Sequence, residues 1–307
     1  MRRQIIVMFC SLFLIAPACA WNESAAPQQT TPPNRGALFK AQQGAHTLYL
    51  FGTIHVGAAD FYPLEPRMMA ALQQASALAL EVDPLGDQSA ILKAVRRHGM
   101  YQNGRGPASA ELAPAFRPRL ERLLRKYAIA EEAVAMMKPW MVASVLTVSE
   151  FAVQGYDANL AVDAWLSQQA RARKLRIVEL ESVAGQMALF DGMSMAEQAL
   201  FLQEGIAALE DDEQAVQARD IGAAWRTADA AAFDELARKA ADDATFSGRF
   251  VQNVLLDGRN PALADGIAAL LARERVSVAA IGVLHLVGAN SVPELLRRKG
   301  IALERVY

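Results

Sequence analysis

Cysteine is nearly missing from this 307-residue chain: there are two, Cys10 and Cys19, both within the first twenty residues. Once that segment is set aside no thiol remains, which excludes disulfides, cysteine nucleophiles and thiolate metal sites. Histidine is scarce as well, with four in all. The net charge is −2 and there is no long Lys/Arg tract, so the chain carries no electrostatic footprint for nucleic acid. Beyond residue 20 no stretch has the uninterrupted apolar length of a transmembrane helix. Gly-x-Ser-x-Gly, P-loop and His-Glu-x-x-His patterns are absent too.

The first twenty residues read as a signal peptide. Arg2 and Arg3 form a positive start, 5–15 is an apolar run too short to span a bilayer comfortably, and Ala18-Cys19-Ala20 is a small-x-small cleavage site. The mature chain is then expected to begin at Trp21, with a net charge of −4 once Arg2 and Arg3 are gone, and to be exported to the periplasm. A rival reading lipidates Cys19 and anchors the chain there. Ala16 stands at −3, where bacterial lipoproteins usually carry Leu, so cleavage is the preferred reading. Residues 21–36 hold three prolines and, after Trp21, no large apolar side chain, the composition of a disordered tether.

What is present is a motif written twice. Leu50-Phe51-Gly52-Thr53-Ile54-His55-Val56-Gly57 is matched near the other end by Ala280-Ile281-Gly282-Val283-Leu284-His285-Leu286-Val287-Gly288. Each is an apolar run, then Gly-x-x-His, then another Gly. With 19 glycines in 307 residues, any one His has Gly three places before it only about 6% of the time. Two such histidines among four suggest that the fold brings His55 and His285 together.

The rest of the pattern is α/β. Residues 37–42, a Gln43-Gly44 turn and 45–51 read as a hairpin, 66–74 as a helix and 76–82 as a short buried strand, the sign of a parallel βαβ unit. A long helical stretch over 87–173, broken at Gly104–Pro107 and at Pro139, precedes a strand at 174–180. Helices follow over 183–275. A buried strand at 276–281, a helix at 292–299 with Ser291 as cap and Gly300 as stop, and a closing strand at 302–307 complete the chain. The expected fold is a mixed, largely parallel sheet assembled from N- and C-terminal strands, flanked by helices and carrying a long helical insert. No internal Pro/Ser-rich linker divides 37–307, which reads as one domain.

In open α/β sheets ligand sites form beyond the carboxyl ends of the strands. Four strands here end in His55, Glu81, Glu181 and His285. Gly52 and Gly282 fit that setting, since glycine near a strand end allows close backbone approach. Two neutral imidazoles with one or two carboxylates suit a divalent first-row metal in an incompletely filled site, with His55, His285 and either Glu81 or Glu181 as ligands. The carboxylate left over, Glu81 or Glu181, would be the base, and Arg259 and Asn260 would steady developing negative charge. Blander readings stand beside these. Glu181 competes with Glu179 and with pairing to Arg171, Arg173 or Arg176; Arg259 and Asn260 can be an exposed cation and a helix cap. Asp163 reads as structural, His46 as a surface or edge residue, and His98, before Gly99, as a helix end.

The chain resembles the TraB/GumN family, relatives of the Tiki proteins. The resemblance is carried by Tyr49 to Gly57, Glu81, Lys138-Pro139-Trp140, Asp163, Glu181 to Asp191, Arg259-Asn260 and Gly282 to Val306. It departs at Ala289-Asn290-Ser291, where many relatives have a Gly-containing turn. It implies a fold similar to erythromycin esterases and haem-binding ChaN proteins, and a site made of both Gly-x-x-His motifs with an acidic residue between them. The Tiki likeness implies a metal-dependent protease using manganese or cobalt; zinc satisfies the same donor set. The expectation is therefore an exported metal-dependent hydrolase acting on a peptide or protein. The alternatives are a metal-free, esterase-like hydrolase with His55 as base, and a non-catalytic haem or small-ligand binder using the imidazoles axially.

Overall fold

The computed structural model describes residues 31–102 and 105–307. The expected signal peptide (1–20), the tether up to residue 30, and Gly104 of the expected break lie outside the described residues. The end of the expected tether is docked on the fold. Arg35 is buried and donates to the carbonyls of Arg226 and Asp60, at 2.7 and 2.6 Å, and Gly36 N–H donates to Trp225 O at 2.7 Å.

Six strands form one sheet: β1 (Leu38–Gln43), β2 (His46–Thr53), β3 (Ala77–Leu80), β4 (Arg176–Glu179), β5 (Val276–Gly282) and β6 (Leu303–Arg305). Their order is β4-β3-β5-β2-β1-β6. The pairs β4–β3, β3–β5 and β5–β2 are parallel, while β2–β1 and β1–β6 are antiparallel. The expected mixed, mainly parallel sheet is what forms, and both chain ends contribute to it. The hairpin turns at Gly44, whose φ of +61° suits glycine.

Every residue of β3 is buried, as is all of β5 after Val276, because helices cover both faces of the parallel part. One cover is the helix Asn260–Arg273; further out, Pro139–Val153 packs against Met195–Glu210. Trp225, wholly buried between Phe51 and Phe61, also donates its indole N–H to Gly52 O at 2.9 Å, so the first motif's backbone is held from the helical side.

Local expectations met tertiary competition in three places. Ser291 precedes the helix Val292–Arg298, but its hydroxyl makes no capping bond. His98 does not serve free helix carbonyls: its Nδ1 lies 3.0 Å from Asp191 Oδ2, and Lys138 binds the same carboxylate. His46 opens β2, an interior strand, with Nδ1 2.8 Å from Glu274 O. In the last two a polar partner from a distant element replaced the local or solvent contact assumed from neighbours in sequence.

Candidate functional site

The four parallel strands β4, β3, β5 and β2 run the same way, so their carboxyl ends share one edge of the sheet. β5, from the far end of the chain, inserts between β3 and β2. That order places the chain leading to His285 between the chain leading to Glu81 and the one leading to His55. The convergence can be read at Gly282. A Cβ built there would lie 3.3 Å from Glu81 Oε1, 3.5 Å from His55 Nε2 and 3.7 Å from His285 Cδ2. Both imidazoles and one carboxylate therefore face a single point, kept open by a missing side chain.

His285 is wholly buried on a short turn, Val283–Leu286, directly after β5. Its Nδ1 stands 2.6 Å from Asn260 Oδ1, and Asn260 is fixed in turn by donating to Asn290 O at 2.8 Å. An amide oxygen can only accept, so Nδ1 carries the proton and Nε2 keeps its lone pair. That Nε2 is buried without a hydrogen-bond partner, 3.9 Å from Glu81 Oε1. Burial, with Arg259 and His55 adding to it against Glu81, pushes the His285 pKa down to about 3, so the ring is neutral.

His55 is in a different situation. Its side chain is 11% exposed, and its Nδ1 lies 3.3 Å from Asp163 Oδ1, near a hydrogen bond but short of its full geometry. Burial opposes charging the ring, but Asp163, through its charge and its contact, and Glu81 together outweigh it, and the His55 pKa is raised.

Glu81 is buried and its Oε1 accepts the Gly282 N–H at 2.6 Å. Its Oε2 takes Arg259 Nη2 and, at 3.2 Å, Gln186 Nε2. Burial alone would raise its pKa, but Arg259, both histidines and the Gly282 N–H hold it well below the ordinary carboxylate range. Glu181 stands behind this layer. Arg259 binds it through Nη2 and through Nε at 2.9 Å, and Gln186 Nε2 reaches it at 2.8 Å. Arg259 is positioned as the residue before the helix Asn260–Arg273, after a wide π-type turn over Val251–Asp257. Such turns are frequent at functional sites.

All the sequence-expected site residues except Gly52 thus belong to one connected cluster; Gly52 underlies it, packed on Val283 and Leu286. Two further members were not anticipated in these positions. Asp163, read as structural, is beside His55, and Gln186 ties two carboxylates together. Gln186 had a usable signal: it lies in the first turn and a half of a helix starting just after Glu181. Asp163 is among the residues that carry the family resemblance, but its spacing holds no signal, because its partner is 108 residues away in sequence.

Among the described residues, no group of three or more His, Cys, Asp and Glu side chains is arranged ready to hold a metal. The donor chemistry nevertheless fits one. The gap offers a neutral, unpartnered, buried His285 Nε2, the His55 Nε2 and a charged Glu81 Oε1. Both Nδ1 atoms are turned to an oxygen of a neighbouring side chain, the usual arrangement behind metal-ligating histidines. Glu81 and Glu181 share the single guanidinium of Arg259, so a cation at the gap would offset excess negative charge.

A mixed α/β domain with paired histidines at the carboxyl edge of its parallel strands is the class these features define. The sequence matches the TraB/PrgY/gumN family over residues 37–305, and the chain belongs to that family. It is 24% identical over 262 residues to YbaP, an uncharacterised protein of Escherichia coli (strain K12), covering 83% of this chain and 89% of that one. It is also 24% identical over 210 residues to an uncharacterised protein of Treponema pallidum (strain Nichols), covering 67% and 62%. No solved structure matches the chain. Among the described residues no helix is long and apolar enough to cross a membrane.

Proposed function

We propose that this chain is an exported, metal-dependent hydrolase whose substrates are peptides or proteins. The observation that carries the reading is His285: a buried, neutral imidazole with Nδ1 committed to Asn260 and Nε2 without a partner, facing the point that His55 Nε2 also faces. Leaving a buried acceptor unsatisfied costs about 1–3 kcal/mol, which is tolerable where a ligand is meant to fill the gap. His55 and His285 would hold a manganese, cobalt or zinc ion with Glu81 as the third ligand. The ion would supply polarisation of a carbonyl and acidification of water at neutral pH. Peptide as the substrate class follows from the resemblance to the Tiki proteases.

The chain's own groups divide the remaining work. Glu81, with its pKa depressed, keeps its charge and takes a proton poorly, which suits a ligand better than a base. Arg259 holds Glu81 in place and anionic, while Glu181 and Gln186 hold Arg259 and Glu81 from behind. A second reading is favoured by the Asp163–His55 contact. With no metal, His55 is the one ring here whose proton affinity is raised, and it would act as the general base of an esterase-like hydrolase.

Cobalt(II) or manganese(II) titration, followed by peptide hydrolysis with and without chelator, tests both. The expected result is one ion bound and turnover lost in chelator, with both lost in His55→Ala and in His285→Ala. Turnover that survives chelation but disappears in His55→Ala would select the metal-free reading. Turnover that survives chelation and both substitutions would reject the site.

A further inference from the structure

We infer that Asp163 is the positioning residue of His55, fixing which ring nitrogen carries the proton and aiming Nε2 at the shared gap. This deepens the reading of His55 as a working residue of the proposed site, whatever that site hydrolyses.

The geometry is built by the segment that follows the first motif. Gly57 and Asp157 exchange backbone hydrogen bonds, Gly57 N–H to Asp157 O at 2.9 Å and Asp157 N–H to Gly57 O at 2.7 Å. Only glycine permits that approach, since a Cβ on Gly57 would overlap the Leu160 carbonyl. Five residues on, Val162 N–H donates to Ile54 O at 3.1 Å and begins the helix Val162–Ala172. Ile54 and Val162 are the immediate neighbours of His55 and Asp163, so these backbone bonds set the two side chains against each other. The second glycine of the first motif is thus explained: it lets 157–163 close over His55.

Asp163 lies in the first turn of the helix Val162–Ala172. It is 4% exposed, and neither carboxylate oxygen has a full hydrogen bond to any described residue. His55 Nδ1 stands against it at 3.3 Å; Tyr62 is also within reach of its charge, but the Tyr62 hydroxyl donates to Leu160 O at 2.7 Å. A buried carboxylate held only for packing would be expensive, and an apolar residue of similar size would serve better. A carboxylate opposite Nδ1 draws the proton to that nitrogen and leaves the Nε2 lone pair to the gap. Asn260 does the same for His285 with an uncharged oxygen.

The test is long-range ¹H–¹⁵N NMR of the imidazoles in the purified, metal-free protein at alkaline pH, with the four histidines assigned by single His→Gln variants. In the wild type His55 is expected as the Nδ1–H tautomer. Asp163→Ala should shift it to Nε2–H or a mixture, while Asp163→Asn, which keeps an accepting oxygen, should retain Nδ1–H. His285 should be unmoved in both variants, which separates a local effect from unfolding. Cobalt(II) affinity should fall about 10–100-fold in Asp163→Ala and less in Asp163→Asn. A wild-type His55 protonated on Nε2, or ring nitrogens unchanged in Asp163→Ala, would overturn the assignment, and the first result needs no variant to fold. If the wild type binds no cobalt(II) while the tautomers behave as stated, the metal reading fails and the role of Asp163 stands.

Discussion

Gly52 and Gly282 hold the same place in the two Gly-x-x-His motifs, yet a methyl group added at each would meet different things. At Gly52 it would press on Val283 Cγ2 at 2.9 Å and Leu286 Cδ1 at 3.0 Å, apolar side chains of the second motif. At Gly282 it would enter the gap between Glu81, His55 and His285. The histidines diverge likewise. His55 is backed by a carboxylate and has its pKa raised, whereas His285 is backed by an amide and is held neutral with its pKa near 3. A repeated sequence motif has thus become two chemically unequal halves: one glycine serves packing and the other leaves room, and one ring favours a proton that the other refuses.

The largest effect expected concerns the second half, where Arg259 holds the carboxylate pressed against Gly282. Arg259→Met leaves Glu81 and Glu181 without their cation, and breaking such a buried pair should cost about 3–5 kcal/mol in urea denaturation. The double variant with Glu81→Gln should recover part of that loss. A cost below about 1 kcal/mol would mean that the pair does not sustain this half.

The glycines themselves offer a sharper contrast. Gly52→Ala overpacks the contact with Val283 and should lower stability by about 1–3 kcal/mol. Gly282→Ala meets ordinary or slightly tight distances and should change stability less, within about 1 kcal/mol, while weakening metal binding by crowding the gap. Thermal melts together with cobalt(II) titrations separate the two. Equal stability losses with unchanged binding would erase the distinction.

The two rings also differ in the pH dependence of stability they confer, measured in chelator. His285 in the folded protein has its pKa at about 3, below the ordinary 6.5, so the unfolded chain takes up a proton first. Stability should therefore fall as pH drops from about 6.5 towards 3, by at most about 1.4 kcal/mol per pH unit. His285→Gln should flatten that acid limb. His55, with its pKa raised, works the other way: its contribution is complete below about 6.5 and disappears as pH climbs through the raised value. His55→Gln should flatten the alkaline limb alone. Identical profiles for both variants would mean that the two rings are equivalent after all.

Much of the scaffold is legible in the amino-acid order. Uninterrupted apolar runs marked β3 and β5, Gln43-Gly44 marked the hairpin, and the polar residue after each run marked the carboxyl edge where the cluster forms. These signals are local, and local periodicity survives folding when a strand is buried on both faces. Pairwise roles were harder to read. Glu181 and Arg259 were expected in the site, but that the guanidinium clamps two carboxylates depends on side chains 78 and 178 residues apart in sequence. Asp163 reads as structural from its sequence surroundings, because nothing within a few residues of it hints at His55. Arg35, assigned to a tether on composition, is docked because Arg226 and Asp60 present carbonyls that no neighbour in sequence reveals.

The amino-acid order alone was enough to establish an α/β chain with two matched His-bearing strand ends, since alternation, run length and glycine spacing act over a few residues. The insertion of β5 between β3 and β2, and with it the meeting of His285, Glu81 and His55, was settled only when the strands paired. Strand order rests on contacts between segments more than two hundred residues apart. It is also what made two copies of one motif unequal, by giving each ring a different neighbour to share its proton with.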